Sequence, residues 1–363
     1  MKLLGLLARP AAAVARSLVQ VPRAAVAAQQ PWLHPRWRSA SSSSGGRPSL
    51  TTTKTATPKE RAAAPPAGAD RERPRAPTTP RDADREAQAL VATLHRFAKE
   101  RRQPAKSEQT RLDSEVGRLA AAMNPKSLSM TLWAHAKMCH PPPAAVQACL
   151  DEEVVRKLNG FNPQNLSHTL WAMATMDRPP NAELQARLEL EVARKLGDFN
   201  AQNLANTLWA MATMGRPPTA ELQARLDEEV ARKLGDFKAQ NLANTLWAMA
   251  TMGRLPTAEL QASLDEAVAR KLGDFNAQEL ANTLWSYAKM KRAPAAELLR
   301  SIDRQLELKL GEFNAVDIQQ VLSSYSALEH APSARVMALL QARVHDLAQG
   351  NDQRERSLIS IVK

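Results

Sequence analysis

The chain has 363 residues and a formal net charge of +12, from 49 Lys and Arg against 37 Asp and Glu. Its two cysteines, Cys139 and Cys149, exclude a disulfide framework and suit a reducing compartment. No apolar run approaches the ~18 residues needed to cross a bilayer, so no membrane insertion is expected.

Residues 1–59 come first in chain order. They hold nine basic residues, including Arg9, Arg16, Arg36 and Arg38, and not one acid. An Arg- and Ser-rich, acid-free leader has the composition of an organelle transit peptide. Arg9 and Pro10 cut the apolar run after Leu7, which argues against a secretory signal. The mitochondrial matrix is the expected destination, with the chloroplast stroma as the alternative. Setting these nine aside leaves 40 basic against 37 acidic residues, so the remainder is close to neutral. Residues 60–84 are Pro-, Ala- and Arg-rich without periodicity and read as a linker.

From residue 85 to 348 a 38-residue period dominates. Trp133, Trp171, Trp209, Trp247 and Trp285 keep that spacing, as do Phe161, Phe199, Phe237, Phe275 and Phe313. One leucine register (Leu94 to Leu322) and one proline register (Pro104 to Pro332) recur in seven copies. In the first and last copies His95 and Ser323 replace the tryptophan, as expected of caps.

Each copy reads as two helices. In Phe199–Asp236, Asn200 is an N-cap, and Phe199 with Leu204 has the spacing of a hydrophobic staple. Helix A runs to about Met214, with Leu204, Leu208, Met211 and Ala212 on its core face. Ala205, Ala210 and Ala212 would let neighbouring helices approach closely. Gly215 and Pro217-Pro218 break the helix. Helix B starts near Thr219, buries Leu222, Leu226, Val230 and Leu234, and is expected to be capped by Gly235. The fold class is therefore all-α, a right-handed α-solenoid of about seven two-helix repeats. Residues 349–363 form a polar tail.

The run FNAQNLANTLWAMATMGRPPTAELQ, beginning at Phe199, resembles the octotricopeptide-repeat proteins of algal organelles, whose unit is also 38 residues with a proline-rich turn. It is similar as well to the related helical repeats of FAST-kinase-type and kinetoplastid editing-complex proteins. The resemblance implies an organellar RNA-binding factor in RNA stability, processing, editing or translation. Two departures stand out. The turn here leads into Thr-Ala-Glu-Leu rather than an acidic-aromatic pair, and no nuclease-like segment follows Ala348. The second departure removes the basis for a catalytic role, and an enzyme is not expected.

At about 100° per residue, Gln202, Asn206 and Thr213 fall on a strip opposite Leu204, with Asn203 farther round. The next copy repeats them as Gln240, Asn241, Asn244 and Thr251. Asn165 and His168 in the third copy, and Glu279 and Asn282 in the sixth, are the divergent versions. These are the RNA-base candidates, since amides can read base edges. The competing reading leaves them exposed, or bonded to the next repeat. Arg178, Arg216, Arg254 and Arg292 share the turn register two residues before the proline, with Arg102, His140 and His330. They are the RNA-phosphate candidates, although a cation there would also suit a helix C-terminus. The tryptophans are expected to fill space between helices. On helix B, Glu221–Arg225, Glu228–Arg232 and Glu229–Lys233 have the spacing of exposed ion pairs. His135, Cys139 and His140 lie close together, but later copies replace His135 by Met or Tyr and Cys139 by Gly. No metal and no other cofactor are expected. The predicted partner is single-stranded organellar RNA. The alternative is a protein-binding scaffold, such as a subunit of a ribonucleoprotein or organellar ribosome.

Overall fold

The computed structural model describes residues 79–348; the leader, most of the linker and the polar tail lie outside the described residues. Fourteen α-helices and no strands occur among those residues. They are α1 (Pro80–Lys99), α2 (Lys106–Leu119), α3 (Pro125–Met138), α4 (Ala144–Lys157), α5 (Pro163–Thr175), α6 (Ala182–Lys195) and α7 (Ala201–Thr213). The second half adds α8 (Ala220–Lys233), α9 (Ala239–Thr251), α10 (Ala258–Lys271), α11 (Ala277–Met290), α12 (Ala296–Lys309), α13 (Ala315–Ala327) and α14 (Ala334–Ala348). Odd-numbered helices are the A helices of seven repeats and even-numbered ones the B helices.

The A helices pack side by side in sequence order, and each B helix covers its own A helix. Alanine makes the A layer tight: Ala205 and Ala210 are fully buried on the flanks of α7, where a larger side chain would push the neighbours apart. Leu204, Leu208 and Met211 face the B layer and meet Leu222, Leu226 and Val230 there, all essentially inaccessible to water. Phe161, Phe199, Phe237, Phe275 and Phe313 close the joint between successive repeats, each at most 1% exposed. The B helices touch one another far less. A stack that is tight in one layer and loose in the other curves with the tight layer inside.

Both helix ends follow from local chemistry. Asn200 Oδ1 accepts from the Asn203 N–H at 2.8 Å, and Asn203 Oδ1 accepts from the Asn200 N–H, closing a capping box. At the other end the Gly215 N–H bonds to the Ala212 carbonyl and the Arg216 N–H to the Met211 carbonyl. This Schellman turn needs a left-handed residue, supplied by Gly215 at φ +63°. Other copies place Cys139, Asp177 or Lys291 there instead. Gly235, expected to cap helix B, does not: the chain passes through a 3-10 turn, Leu234–Asp236, and Gly235 is not among the residues with positive φ.

Two further expectations change. α1 begins at Pro80 with Thr79 as its N-cap, so the end of the segment read as linker is helical. Its first turns, Pro-Arg-Asp-Ala-Asp-Arg-Glu, are too polar to show a period. On helix B, Glu229 does pair with Lys233, at 3.1 Å, but it also takes Arg232 three residues on, at 2.6 Å. Arg225 donates instead to the Ala193 carbonyl of the preceding repeat at 2.6 Å.

Lys233 does more than form an ion pair. Its Nζ reaches back to the Gly197 carbonyl at 2.7 Å and to the Phe199 carbonyl. Lys157, Lys195 and Lys309 make the same two contacts at their own joints. At these four joints a buried-stem ammonium thus satisfies carbonyls at the end of the preceding 3-10 turn and stitches the repeats together.

Candidate RNA interface

The surface of the A layer that faces away from the B helices carries the Gln202–Thr213 strip. Gln202, Asn206, Trp209 and Thr213 lie at i, i+4, i+7 and i+11, within a narrow arc of α7. Gln202 and Gln240 are exposed, whereas Asn206, Thr213, Thr251 and His168 are half-buried and Asn244 and Asn282 are buried. Between them the indoles form a ladder. Trp209, Trp247 and Trp285 follow one another with ring centroids 6.5 and 6.4 Å apart, and Trp209 is 1% exposed. The tryptophans therefore pack between helices, as their spacing implied. At the N-terminal end His95 and His168 flank the Trp133 ring at 5.5 and 6.3 Å.

Asn203, Asn241, Asn165 and Glu279 are not presented on this face. They are the N3 residues of their helices and are buried: Asn165, Asn203 and Glu279 close capping boxes, and Asn241 accepts from the Lys238 N–H without a return bond, since a lysine side chain has no acceptor. Asn165 and Asn203 spend their Nδ2 on Ser129 and Ser167 of the preceding repeat, each at 3.0 Å. Glu279 accepts from the Asn276 N–H at 2.9 Å, and burial raises its pKa above the ordinary carboxylate value. What remains on the face is the register of Gln202, Asn206 and Thr213. Several of its polar atoms have no hydrogen-bond partner: His168 Nδ1, Asn244 Oδ1, Asn282 Nδ2, and the hydroxyls of Thr175, Thr213 and Thr251. Gln320 Nε2 reaches the Asn282 Oδ1 of the preceding repeat at 3.0 Å, so neighbour bonding is realised at that joint.

Charge is sorted between the layers. Helices α3, α5, α7, α9 and α11 contain a single acid, the capped Glu279, beside Lys126, Lys137 and Lys289. The B helices carry the acids, and one of their registers was missed from sequence. Asp113, Asp151, Glu189, Asp227 and Asp265 recur every 38 residues, each taking a hydrogen bond from a glutamine four residues earlier, at 2.6–2.9 Å. Its period could have been read beside that of the tryptophans. The turn cation of the next repeat comes up to this acid. His140 Nε2 lies 3.2 Å from Asp113 Oδ2. Asp151 and Asp227 are raised in pKa by burial, against the pull of the Gln147 and Gln223 amides and of the Arg178 and Arg254 charges. Arg292 Nη1 donates to the Pro256 carbonyl at 3.2 Å, and Arg216 is exposed. The arginine register thus forms the edge between the layers, partly neutralised by the acids behind it.

The His135–Cys139–His140 group joins the same ladder. His135 is fully buried, its Nδ1 faces the His140 carbonyl at 3.0 Å, and Asp113 Oδ1 lies 4.0 Å from its Nε2. Burial lowers the His135 pKa and raises that of Cys139. Among the described residues no three His, Cys, Asp or Glu side chains are arranged to hold a metal.

Residues 218–355 match the family model of the Tbc2 translation factor, N-terminal domain. The match covers less than half of the chain, from the turn of the fourth repeat past the last described helix. Residues 183–208 match a second family, described as a protein of unknown function (DUF1601). No curated protein matches the chain.

Proposed function

We propose that the protein is an organellar RNA-binding solenoid that acts in post-transcriptional gene expression, with single-stranded RNA lying along the inner face of the A layer. The observation that carries this reading is the recurring register of Gln202, Asn206 and Thr213 on an almost acid-free face that also carries Lys137 and Lys289. A row of amides and hydroxyls repeated in register suits a ligand that brings donors and acceptors at each step, as bases do. The match to a translation factor's domain and the octotricopeptide-like run support the same class of function. The protein acts by binding, without a chemical step of its own. Asn206, Asn244, Asn282, His168, Thr213 and Thr251 contact bases, with Gln202 and Gln240 at the rim.

Selection from a random RNA pool tests it. The repeats Phe199–Asp236 and Phe237–Asp274 carry identical strips, so the enriched sequence should contain a short run of one nucleotide. Enrichment without such a run would end the one-base-per-repeat reading. No enrichment, with weak binding at moderate salt, would favour the protein-scaffold alternative.

The matrix of the mitochondrion is the proposed location, on the composition of residues 1–59. Fused to a fluorescent reporter, residues 1–60 should direct it to the organelle; a cytosolic signal would reject the assignment.

A further inference from the structure

The inner face changes character along its length. The register of Thr213 reads Lys99, Lys137, Thr175, Thr213, Thr251, Lys289 and Ala327. Two residues on, the sequence is Arg101, Cys139, Asp177, Gly215, Gly253, Lys291 and Glu329. Cations therefore gather twice, as Lys99, Arg101 and Lys137 in the first two repeats and as Lys289 and Lys291 in the sixth. The repeats between them present threonines and glycines with one acid, Asp177, and Glu329 follows in the last repeat. Cations suit a helix C-terminus. Thr213 and Gly215 show that this turn closes without one, so capping does not account for their placement.

Lys137 is held over the face rather than out in solvent. Its Nζ lies 4.8 Å from the Trp171 ring and 5.8 Å from that of Trp133. Burial first, and the Arg101 charge second, lower its pKa. Among the described residues no carboxylate forms an ion pair with Lys99, Arg101, Lys137, Lys289 or Lys291. The acids that neutralise the B layer have no counterpart here.

The geometry points to a two-clamp seat for a single-stranded nucleic acid: the Lys99–Arg101–Lys137 and Lys289–Lys291 clusters each grip phosphates, and the polar stretch between them contacts bases. This rests on the RNA-binding reading above and adds to it where the backbone is held and how long the ligand must be. From Lys137 to Lys289 there are four repeat steps. At a helix spacing of about 9 Å the clamps stand about 36 Å apart. A strand stacked at about 3.4 Å per nucleotide needs roughly eleven nucleotides to bridge them, and a stretched one fewer.

The test is a length series of single-stranded RNA, from 4 to 16 nucleotides, bound to the full chain and read by fluorescence anisotropy; inorganic polyphosphate of matched lengths serves as a probe without bases. Affinity should climb by on the order of tenfold or more once the strand spans both clamps, because the second contact becomes intramolecular. The double variant K289Q/K291Q should remove that climb and flatten the salt dependence by about 1.4, for two contacts at about 0.7 each. Both side chains are at the surface, so the fold should tolerate the change, and R270Q on the exposed side of α10 should leave the length dependence intact. A smooth rise with length that K289Q/K291Q does not alter overturns the two clamps. A step with polyphosphate but no binding of RNA keeps the clamps and overturns the RNA reading. Binding of neither overturns both.

Discussion

Lys233→Met isolates the stitch between the third and fourth repeats. Methionine keeps the stem that packs along the joint and loses the ammonium that holds the Gly197 and Phe199 carbonyls and Glu229. The Lys233 side chain is 13% exposed, so these are sheltered contacts rather than surface pairs. Hydrogen bonds from a charged donor contribute about 1.5–3 kcal/mol each. With Glu229 still satisfied by Arg232, the loss should come to about 2–3 kcal/mol at this joint. The chain supplies its own control. In the fifth repeat Ala267 stands where Glu229 does, and Lys271 makes no hydrogen bond or ion pair to a described residue. Lys271→Met should therefore cost no more than about 0.5 kcal/mol, as an ordinary surface change does. Glu229→Ala, which recreates the fifth-repeat arrangement in the fourth, should fall between the two. Urea unfolding followed by circular dichroism measures all three. In a stack whose stability is a sum of repeat and joint terms, the Lys233 variant should also broaden or split the transition. Equal costs for Lys233→Met and Lys271→Met would refute the assignment of the energy to the carbonyl contacts.

Asp317 is the N3 capping residue of α13, and burial raises its pKa from 3.8 to about 6. A carboxyl whose folded pKa lies above its unfolded one stabilises fully below about pH 4 and loses that contribution as the pH rises through 6. Asp317→Asn, the residue that caps α5, α7 and α9, should stabilise the last repeat by about 1–2 kcal/mol at pH 7 and bring no gain at pH 4; a gain independent of pH would argue against buried charge as the cause. At the C-terminus of α3, Cys139 takes the left-handed conformation at φ +60° that Gly215 occupies in the fourth repeat, so Cys139→Gly should raise the unfolding midpoint by the equivalent of about 0.5–1 kcal/mol; a loss would mean that the cysteine's packing outweighs its backbone strain.

The repeat, its two helices and its core were legible because they depend on periodicity, and a period repeated in seven copies outweighs any local ambiguity. The tryptophans followed from the same logic. Asn203 was misplaced for a reason the sequence also held: Asn200-x-x-Asn203 has capping-box spacing, and an amide committed to a backbone N–H is unavailable to a base. The lysine stitch is different in kind. Lys233 contacts residues 34 and 36 positions earlier, and nothing in an isolated two-helix unit announces that reach. Read by itself, the Glu229–Lys233 pair is an ordinary surface feature of a helix. Only the stacked neighbour, whose 3-10 turn leaves two carbonyls facing the ammonium, converts it into a joint. The Gln147–Asp151 register is similar, since its meaning depends on the Arg178 that arrives from the following turn.

Beyond the leader the chain is close to neutral, and by that sum alone a polyanion would find little to attract it. The sum is misleading because the two layers do not share their charges. On the B side Glu229 with Arg232 and Lys233, or Glu191 with Arg194 and Lys195, cancel within a few ångströms and leave little field at a distance. On the A side, among the described residues, the lysines have no such partners, and helices α3, α5, α7, α9 and α11 hold one acid, Glu279, which is buried in its capping box. A ligand on the inner face meets the unpaired charges first, across the thickness of a helix from the acids that would offset them. The same segregation explains how the arginine register can recur so regularly without dominating a phosphate site: Arg178 is answered by Asp151 and Arg254 by Asp227 behind them, and Arg292 is drawn to the Pro256 carbonyl. Regular spacing of a cation therefore identifies an edge of the solenoid, and only the absence of an equally regular acid identifies the edge that an RNA backbone would use.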